Sequence, residues 1–294
     1  MRQRFCIILN PSAGVPRKRF IADVLARLAA RGAITTVVEP SNRSEAAIAV
    51  REACSTHDVI VAAGGDGTVR HAAAALGSLA IPLGLIPLGT GNVLAREIGL
   101  RRDAVFVADT LVDGEERIVH GATANGEPFF LMAGAGFDGR VIGCLNQSLK
   151  RRMARAAYAP AMIRALLQPM DRLQITIDGI PHSANWAIAA NARHYGGSFI
   201  VSPNSSIFEP GLKVIMIQAD TRRDLVVQLL RIAQGSLAKG DHASVNVLDG
   251  QKIRIAALSN IVEPVLSQLD GDAYSALPIE IDARGPQLRL IVPR

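Results

Sequence analysis

The stretch DVIVAAGGDGTVRHAAAALGSLAIPLGLIPLGTGNVLARE, Asp58 to Glu97, holds two glycine-bearing turns, Gly64-Gly65-Asp66-Gly67-Thr68 and Leu88-Gly89-Thr90-Gly91-Asn92. Each directly follows an apolar run of β type and directly precedes a helical pattern. That is the layout of a phosphate cradle. Glycine lets the backbone reach positive φ and approach a polyphosphate without an intervening Cβ, while the unpaired N–H groups of the following helix point at the anion. An acid in such a turn is unusual. Asp66 would repel a bare phosphate, so its presence makes sense if a divalent cation stands between them, as oxygen-ligated Mg²⁺ does in phosphoryl transfer. The hydroxyls of Thr68 and Thr90 are candidate phosphate donors, and Asn10 and Asn92 can serve phosphate or nucleotide groups.

Working outward, the first third alternates strands with helices. Phe5 to Asn10 is an apolar run ending in Asn-Pro-Ser-Ala-Gly. Pro16 then opens a helical pattern with Phe20, Val24 and Leu28 on one face, which stops at Gly32. Ile34 to Val38 reads as a strand, Ser44 to Ala53 as a helix capped by Ser44, and Val59 to Ala63 as a strand. Helix His71 to Leu76, strand Leu83 to Pro87 and helix Val93 to Ile98 complete the pattern. Such spacing builds βαβ units around an open, mostly parallel sheet, with the ligand beyond the carboxyl ends of the strands. Both glycine turns and the Asn10 loop fall there. The chain has no GxxxxGK[ST], and no GxGxxG occurs in this first third, which excludes a P-loop enzyme and an ordinary dinucleotide-binding Rossmann domain there.

From about Asp113 the rhythm changes to short β-type runs: Glu116 to Thr123, Phe129 to Ala133, Leu173 to Ile177, Asn185 to Ala190, Lys213 to Gln218, Ser244 to Leu248, Lys252 to Ala257, Val265 to Leu269 and Ile279 to Asp282. The turn dipeptides Asn125-Gly126, Asp178-Gly179 and Asp249-Gly250 separate several of them. This reads as an antiparallel sandwich over residues 121–285, following an α/β domain over residues 1–120. Helical patterns at Lys150 to Leu167 and at Arg222 to Leu237, the latter opened by Thr221 and Asp224, interrupt it. Late in the chain, Gln268-Leu269-Asp270-Gly271-Asp272 places two carboxylates about a glycine. A hairpin turn is one reading. The other is chemical, with one of Asp270 and Asp272 helping to hold Mg²⁺ and the other taking a hydroxyl proton.

Composition bounds the rest. At 294 residues, 49% hydrophobic and 20% charged, the chain suits two globular domains. The longest uncharged run, His71 to Ala95, is broken by Gly77, Pro82, Gly84, Pro87 and Gly89, which indicates soluble core instead of a membrane span. MRQRFCIILNPSAG lacks the apolar core and cleavage site of a secretory signal, and three scattered cysteines favour a reducing cytoplasm. Six histidines form no HxH or HExxH pairing, and His71 reads as a polar residue on a helix's first turns. A net charge of +6 suits an anionic partner. Aromatic residues at 4% leave few stacking platforms for nucleic acid, which is not expected as a partner.

Taken together, NPSAG at Asn10, GGDGTV at Gly64, PLGTGN at Pro87, AGFD at Ala135 to Asp138, NARHYGG at Asn191 to Gly197 and LDGD at Leu269 resemble the soluble lipid kinases with a diacylglycerol kinase catalytic domain, which include YegS-type, sphingosine and ceramide kinases. The resemblance implies a nucleotide-binding α/β domain followed by a β-sandwich, ATP and Mg²⁺ as cofactors, and a last strand near residues 286–294 that returns to the first domain. It places the nucleotide-binding segment on Gly64, Gly65, Asp66, Gly67, Thr68, Val69, Arg70 and Thr90, the magnesium-linked aspartate on Asp66, and the general base on Asp272. Relatives carry Glu at that last position, so the reach here is shorter by roughly 1.5 Å. Pro210 stands where some relatives have an accessory metal-binding aspartate, which argues against a structural Mg²⁺ there.

The expected activity is transfer of the γ-phosphoryl group of ATP to a lipid hydroxyl. A soluble-metabolite kinase of the NAD kinase type and a non-catalytic nucleotide- or lipid-binding protein are the alternatives. Expected partners are a lipid substrate and an anionic membrane surface touched from a cytoplasmic location during turnover, with a homodimer left open. Lys150-Arg151-Arg152-Met153-Ala154-Arg155, running into Tyr158, Met162, Ile163, Leu166 and Leu167, reads either as an interfacial helix or as a core helix with a solvated basic end.

Overall fold

A computed structural model describes residues 2–10, 18–77, 81–145, 158–237, 243–258 and 264–294. The Pro-Ser-Ala-Gly part of the first loop, Pro16, and the basic segment from Lys150 to Arg155 lie outside the described residues. The chain divides into two compact units, residues 1–120 with 286–294, and residues 121–285.

The first unit runs β1 (Arg4–Leu9), α1 (Lys18–Ala30), β2 (Ile34–Val38), α2 (Arg43–Ala53), β3 (Val59–Gly64), α3 (Asp66–Leu76), β4 (Leu83–Pro87), α4 (Val93–Glu97), α5 (Ala104–Asp113) and β5 (Glu115–His120). β1 pairs in parallel with β2 on one side and β3 on the other, and β3 pairs in parallel with β4. β3 and β4 are buried along their whole length, which is why they read as continuous apolar runs instead of alternating ones. α1 packs on α5, and α2 on α3.

α1 buries Ile21, Val24 and Leu28. The expected face is thus turned by one residue, because Phe20 is half-buried with the Arg102 guanidinium 5.3 Å from its ring centroid. α2 is capped by Asn42, whose side chain accepts from the Glu45 N–H at 2.9 Å, in place of the expected Ser44. α5 was not anticipated. Asp103 caps it by accepting from the Phe106 N–H at 2.8 Å.

The second unit contains two six-stranded antiparallel sheets. Its strands are β6 (Ala122–Ala124), β7 (Glu127–Phe129), β8 (Met132–Gly136), β9 (Leu173–Ile177), β10 (Ile180–Ala184), β11 (Trp186–Ala190), the short β12 (His194–Tyr195) and β13 (Phe199–Ile200), β14 (Leu212–Ile217), β15 (Val245–Gly250), β16 (Lys252–Ala257), β17 (Leu266–Leu269), β18 (Asp272–Ala276) and β19 (Ile279–Asp282). One sheet has the order β10-β9-β16-β19-β6-β7, the other β15-β14-β11-β8-β17-β18. The run expected as one strand from Glu116 to Thr123 is therefore two, β5 and β6, in different sheets.

Strand alternation explains how one sheet serves two cores. On β11, Ala187 and Ala189 face the interior between the sheets with Ile175, Ile253 and Ile279. Trp186, Ile188 and Ala190 face the other way, against α6 (Phe137–Gly143) and the helices Tyr158–Leu167 and Arg222–Ala233. The last of these opens with the expected capping box of Thr221 and Asp224. β20 (Gln287–Val292) then joins the first unit's sheet between β4 and β5, parallel to β4 and antiparallel to β5. The fold is an α/β domain with a mostly parallel sheet followed by a β-sandwich.

Candidate active site

Strand order in the first sheet places β2 and β3 on opposite sides of β1, so the crossover direction reverses there and leaves a crevice beyond the carboxyl ends of β1 and β3. Asn10 and the first glycine turn stand at that point. The Asn10 N–H donates to the Ala63 carbonyl at 3.0 Å, and its side-chain amide donates to the Thr68 hydroxyl oxygen at 3.0 Å. That bond leaves the Thr68 hydroxyl proton available to a phosphate oxygen.

The two glycine turns are fastened to each other. The N–H groups of Leu88 and Gly89 donate to the Gly64 carbonyl at 2.8 and 3.1 Å. A Cβ added at Gly89 would stand 2.4 Å from the Gly65 Cα, so the two backbones meet where no side chain fits at Gly89. Asp66 completes the junction: its carboxylate accepts from the Val93 N–H at 3.0 Å and from the Leu94 N–H at 3.0 Å, the opening residues of α4. An acid at the start of α3 thus caps the helix after the other turn. Asn92 enters α4 in the left-handed conformation, φ 46°, with its amide donating to the Gly89 carbonyl at 2.8 Å.

α3 starts at Asp66, five residues earlier than expected, so the GGDGT turn and the helix N-terminus are one element. Its first N–H groups are therefore offered at the turn itself. Gly65, Asp66, Gly67, Thr68, Gly89, Thr90 and Asn92 are half-buried around this point. Val69 and Arg70 are 6% and 3% exposed, so their side chains turn into the unit.

Oxygen donors suited to a hard cation are present. A carboxylate has more acceptor positions than the Val93 and Leu94 N–H groups engage at Asp66. Asn92 Oδ1 is buried with no hydrogen-bond partner among the described residues, and Asn92 and Asp66 line the same recess. This donor set fits Mg²⁺ in character, one or two protein oxygens with the rest supplied by phosphate and water. Among the described residues, no group of three or more His, Cys, Asp or Glu side chains is placed to hold a metal by itself.

In the second unit, Asp270 and Gly271 form the two-residue turn between β17 and β18, both at positive φ, 50° and 84°, with Leu269 paired to Asp272. This is the geometry of a type I′ hairpin. Asp270, expected to help hold the cation, is 9% exposed and accepts three main-chain N–H groups, from Phe130 at 3.1 Å, Leu131 at 2.9 Å and Met132 at 3.0 Å. Those bonds tie the turn to the start of β8 and give Asp270 the part of an anchor. Asp272, first residue of β18, is half-buried.

Sequence reading did not single out Gln268, and it quoted Asp138 and Tyr195 only within longer motifs. All three converge. Asp138 is 3% exposed and accepts from the Tyr195 hydroxyl and, at 2.9 Å, from the Gln268 amide. Burial pushes the Asp138 carboxyl up, against the pull of these two hydrogen bonds.

Residues 4–124 match the diacylglycerol kinase catalytic domain family, and residues 132–292 match the YegS C-terminal NAD kinase beta sandwich-like domain. A diacylglycerol kinase of Mycobacterium tuberculosis is 34% identical over 249 residues, covering 81% of this chain and 77% of that protein. A diacylglycerol kinase of Bacillus subtilis is 28% identical over 301 residues, covering 99% and 97%. The fold is similar to the crystal structure of a diacylglycerol kinase from Bacillus anthracis, with a TM-score of 0.76 at 20% identity over 99% of this chain and 97% of that one. Over both halves, this chain belongs to the diacylglycerol kinase catalytic-domain family of lipid kinases.

Proposed function

We propose that the chain transfers the γ-phosphoryl group of ATP to the hydroxyl of a lipid of the diacylglycerol class, with Mg²⁺. The observation that carries this reading is the interlock of the two glycine turns through Asp66 at the carboxyl ends of β3 and β4. Such a junction presents main-chain N–H groups and the Thr68 hydroxyl to phosphate oxygens, and it does so in a rigid frame, so little reorganisation is needed when charge builds up during transfer. Neutralisation between the phosphates and the Asp66 carboxylate is the part that a bound divalent cation supplies.

Asn10, Gly64 to Arg70, Gly89, Thr90 and Asn92 are assigned to holding the nucleotide. Within that set, Val69 and Arg70 support the turn from inside the unit, and the others face the phosphates. Asp272 takes the proton of the acceptor hydroxyl. Asp270 fixes the turn that carries it. The working location is an anionic membrane surface.

The test is incubation with γ-labelled ATP, Mg²⁺ and a panel holding diacylglycerol, other lipid alcohols and NAD, with products resolved by mass spectrometry. Label in a lipid phosphate supports the reading. Label in NAD alone, or ATP binding with no transfer to any acceptor, overturns it.

A further inference from the structure

The β17–β18 turn is held from two sides. Asp270 is one anchor, and the other is a chain of three side chains that ends on the same turn. The Gly271 N–H donates to Gln268 Oε1 at 2.7 Å. Gln268 Nε2 donates to Asp138 Oδ2 at 2.9 Å, and Asp138 Oδ1 accepts from the Tyr195 hydroxyl. The amide orientation is fixed by its partners, since a carboxylate only accepts and an N–H only donates. The donors therefore converge on Asp138 in α6, from Tyr195 on β12 at one end and from the turn through Gln268 at the other.

Space for it is reserved in the backbone. A Cβ at Gly134 would stand 1.8 Å from Asp138 Oδ2 and 2.8 Å from Gln268 Nε2, so the bare glycine on β8 lets the two side chains meet across the strand. Gly139 brings α6 onto β17 in the same way, since its Cβ would stand 1.7 Å from the Leu266 carbonyl oxygen. Gln268 is 2% exposed and Asp138 3%. Burying a carboxylate is costly where an apolar pair would pack as well, so a group placed here has a task other than stability.

We propose that Tyr195, Asp138 and Gln268 form a positioning relay that fixes the Asp270-Gly271 turn and thereby aims the Asp272 carboxylate at the acceptor hydroxyl. This rests on the kinase reading for the role of Asp272. None of the three touches the reacting atoms in this scheme; they act through the turn. A displacement of about 1 Å in a catalytic group costs on the order of 100-fold in rate.

The test uses the full chain. Gln268→Met removes both hydrogen bonds at similar volume and is expected to lower kcat roughly 10- to 100-fold, with KM for ATP within about twofold. Hydrogen exchange at the Gly271 amide is expected to accelerate at the same time. Gln268→Glu sets two acceptors face to face and is expected to lower kcat as well. Adding Asp138→Asn to Gln268→Glu restores a donor between them, and this exchange of charge should bring kcat back to within about threefold of the parent. A folded Gln268→Met protein with parental kcat and parental Gly271 exchange overturns the relay, and so does a double variant no faster than Gln268→Glu alone. Should Gln268→Met fail to fold, the comparison of Gln268→Glu with the double variant decides. In a preparation inactive on every lipid, the kinase reading falls, while Gly271 exchange in the variants still decides the relay.

Discussion

Gly89 has no room for any side chain, and the reason is the other glycine turn. Its Cβ would stand 2.4 Å from the Gly65 Cα and 2.5 Å from Asn92 Oδ1, and only backbone movement relieves the first of these contacts. Gly89→Ala is expected to cost about 1–3 kcal/mol and to weaken ATP binding together with stability, read by thermal unfolding and titration calorimetry. Parental unfolding with parental affinity would show that the turns are not packed against each other. Asp58 does comparable work at the start of β1, accepting the Gln3 and Arg4 N–H groups at 2.9 Å each. The Gln3 N–H chiefly holds its carboxyl down at about 2, with Arg4 assisting through its N–H and guanidinium. Because the folded value lies below the unfolded one, Asp58 stabilises the protein above pH ~4, and that contribution is lost as pH falls towards 2. With solvent screening, Asp58→Asn is expected to cost about 1 kcal/mol at pH 7, a difference that vanishes near pH 2 in denaturant melts. At this scale the sequence displays the turn residues and not what they touch. The acid in GGDGT was visible, but its two bonds to α4 are a tertiary fact. A DGD string does not reveal the three N–H groups that the Asp270 carboxylate accepts.

β20 is the element on which the first sheet depends most. It lies between β4 and β5, so removing Pro286–Arg294 separates β5 from the sheet and exposes the edge of β4. A chain ending at residue 285 is expected to lose the cooperative unfolding of the first unit and its ATP binding. Retention of both would show that β20 is dispensable. Elements with a strong apolar period or an uninterrupted apolar run were legible, among them β1, β3, β4, β14 and β16. α5 was not, because AVFVADTLVD is rich in β-branched residues that restrict χ1 in a helix, and tertiary burial of Val107, Leu111 and Val112 overrides that preference. Its one local signal was Asp103 ahead of the run. β10 was also missed. It is a sheet-edge strand with Ile180 and Pro181 exposed, so it lacks a buried alternating face, and Pro181 is tolerated because an edge leaves one side without ladder partners.

For the whole molecule, a lipid substrate requires access to a bilayer. No helix among the described residues is long and apolar enough to cross a membrane. Ile163 and Leu167 on the helix Tyr158–Leu167 are 59% and 64% exposed. On that helix Ala161 and Ala165 face the core, which leaves Ile163 and Leu167 on the face that the interfacial reading requires. Ile163→Ser with Leu167→Ser is expected to weaken sedimentation with anionic phosphatidylglycerol vesicles several-fold while leaving ATP affinity unchanged. Equal binding by parent and variant would remove this face from membrane contact. The α/β class, the sandwich and the family were legible because glycine turns after strands and DG hairpins are local chemistry. The Asp138–Gln268 meeting was not, because it joins residues 130 positions apart through a glycine on a third element, β8. The most direct measurement is lipid phosphorylation by the Asp272→Asn variant with ATP affinity determined on the same preparation. The account predicts a kcat reduced about 100- to 1000-fold with ATP binding within about twofold of the parent. A kcat within threefold of the parent would contradict it.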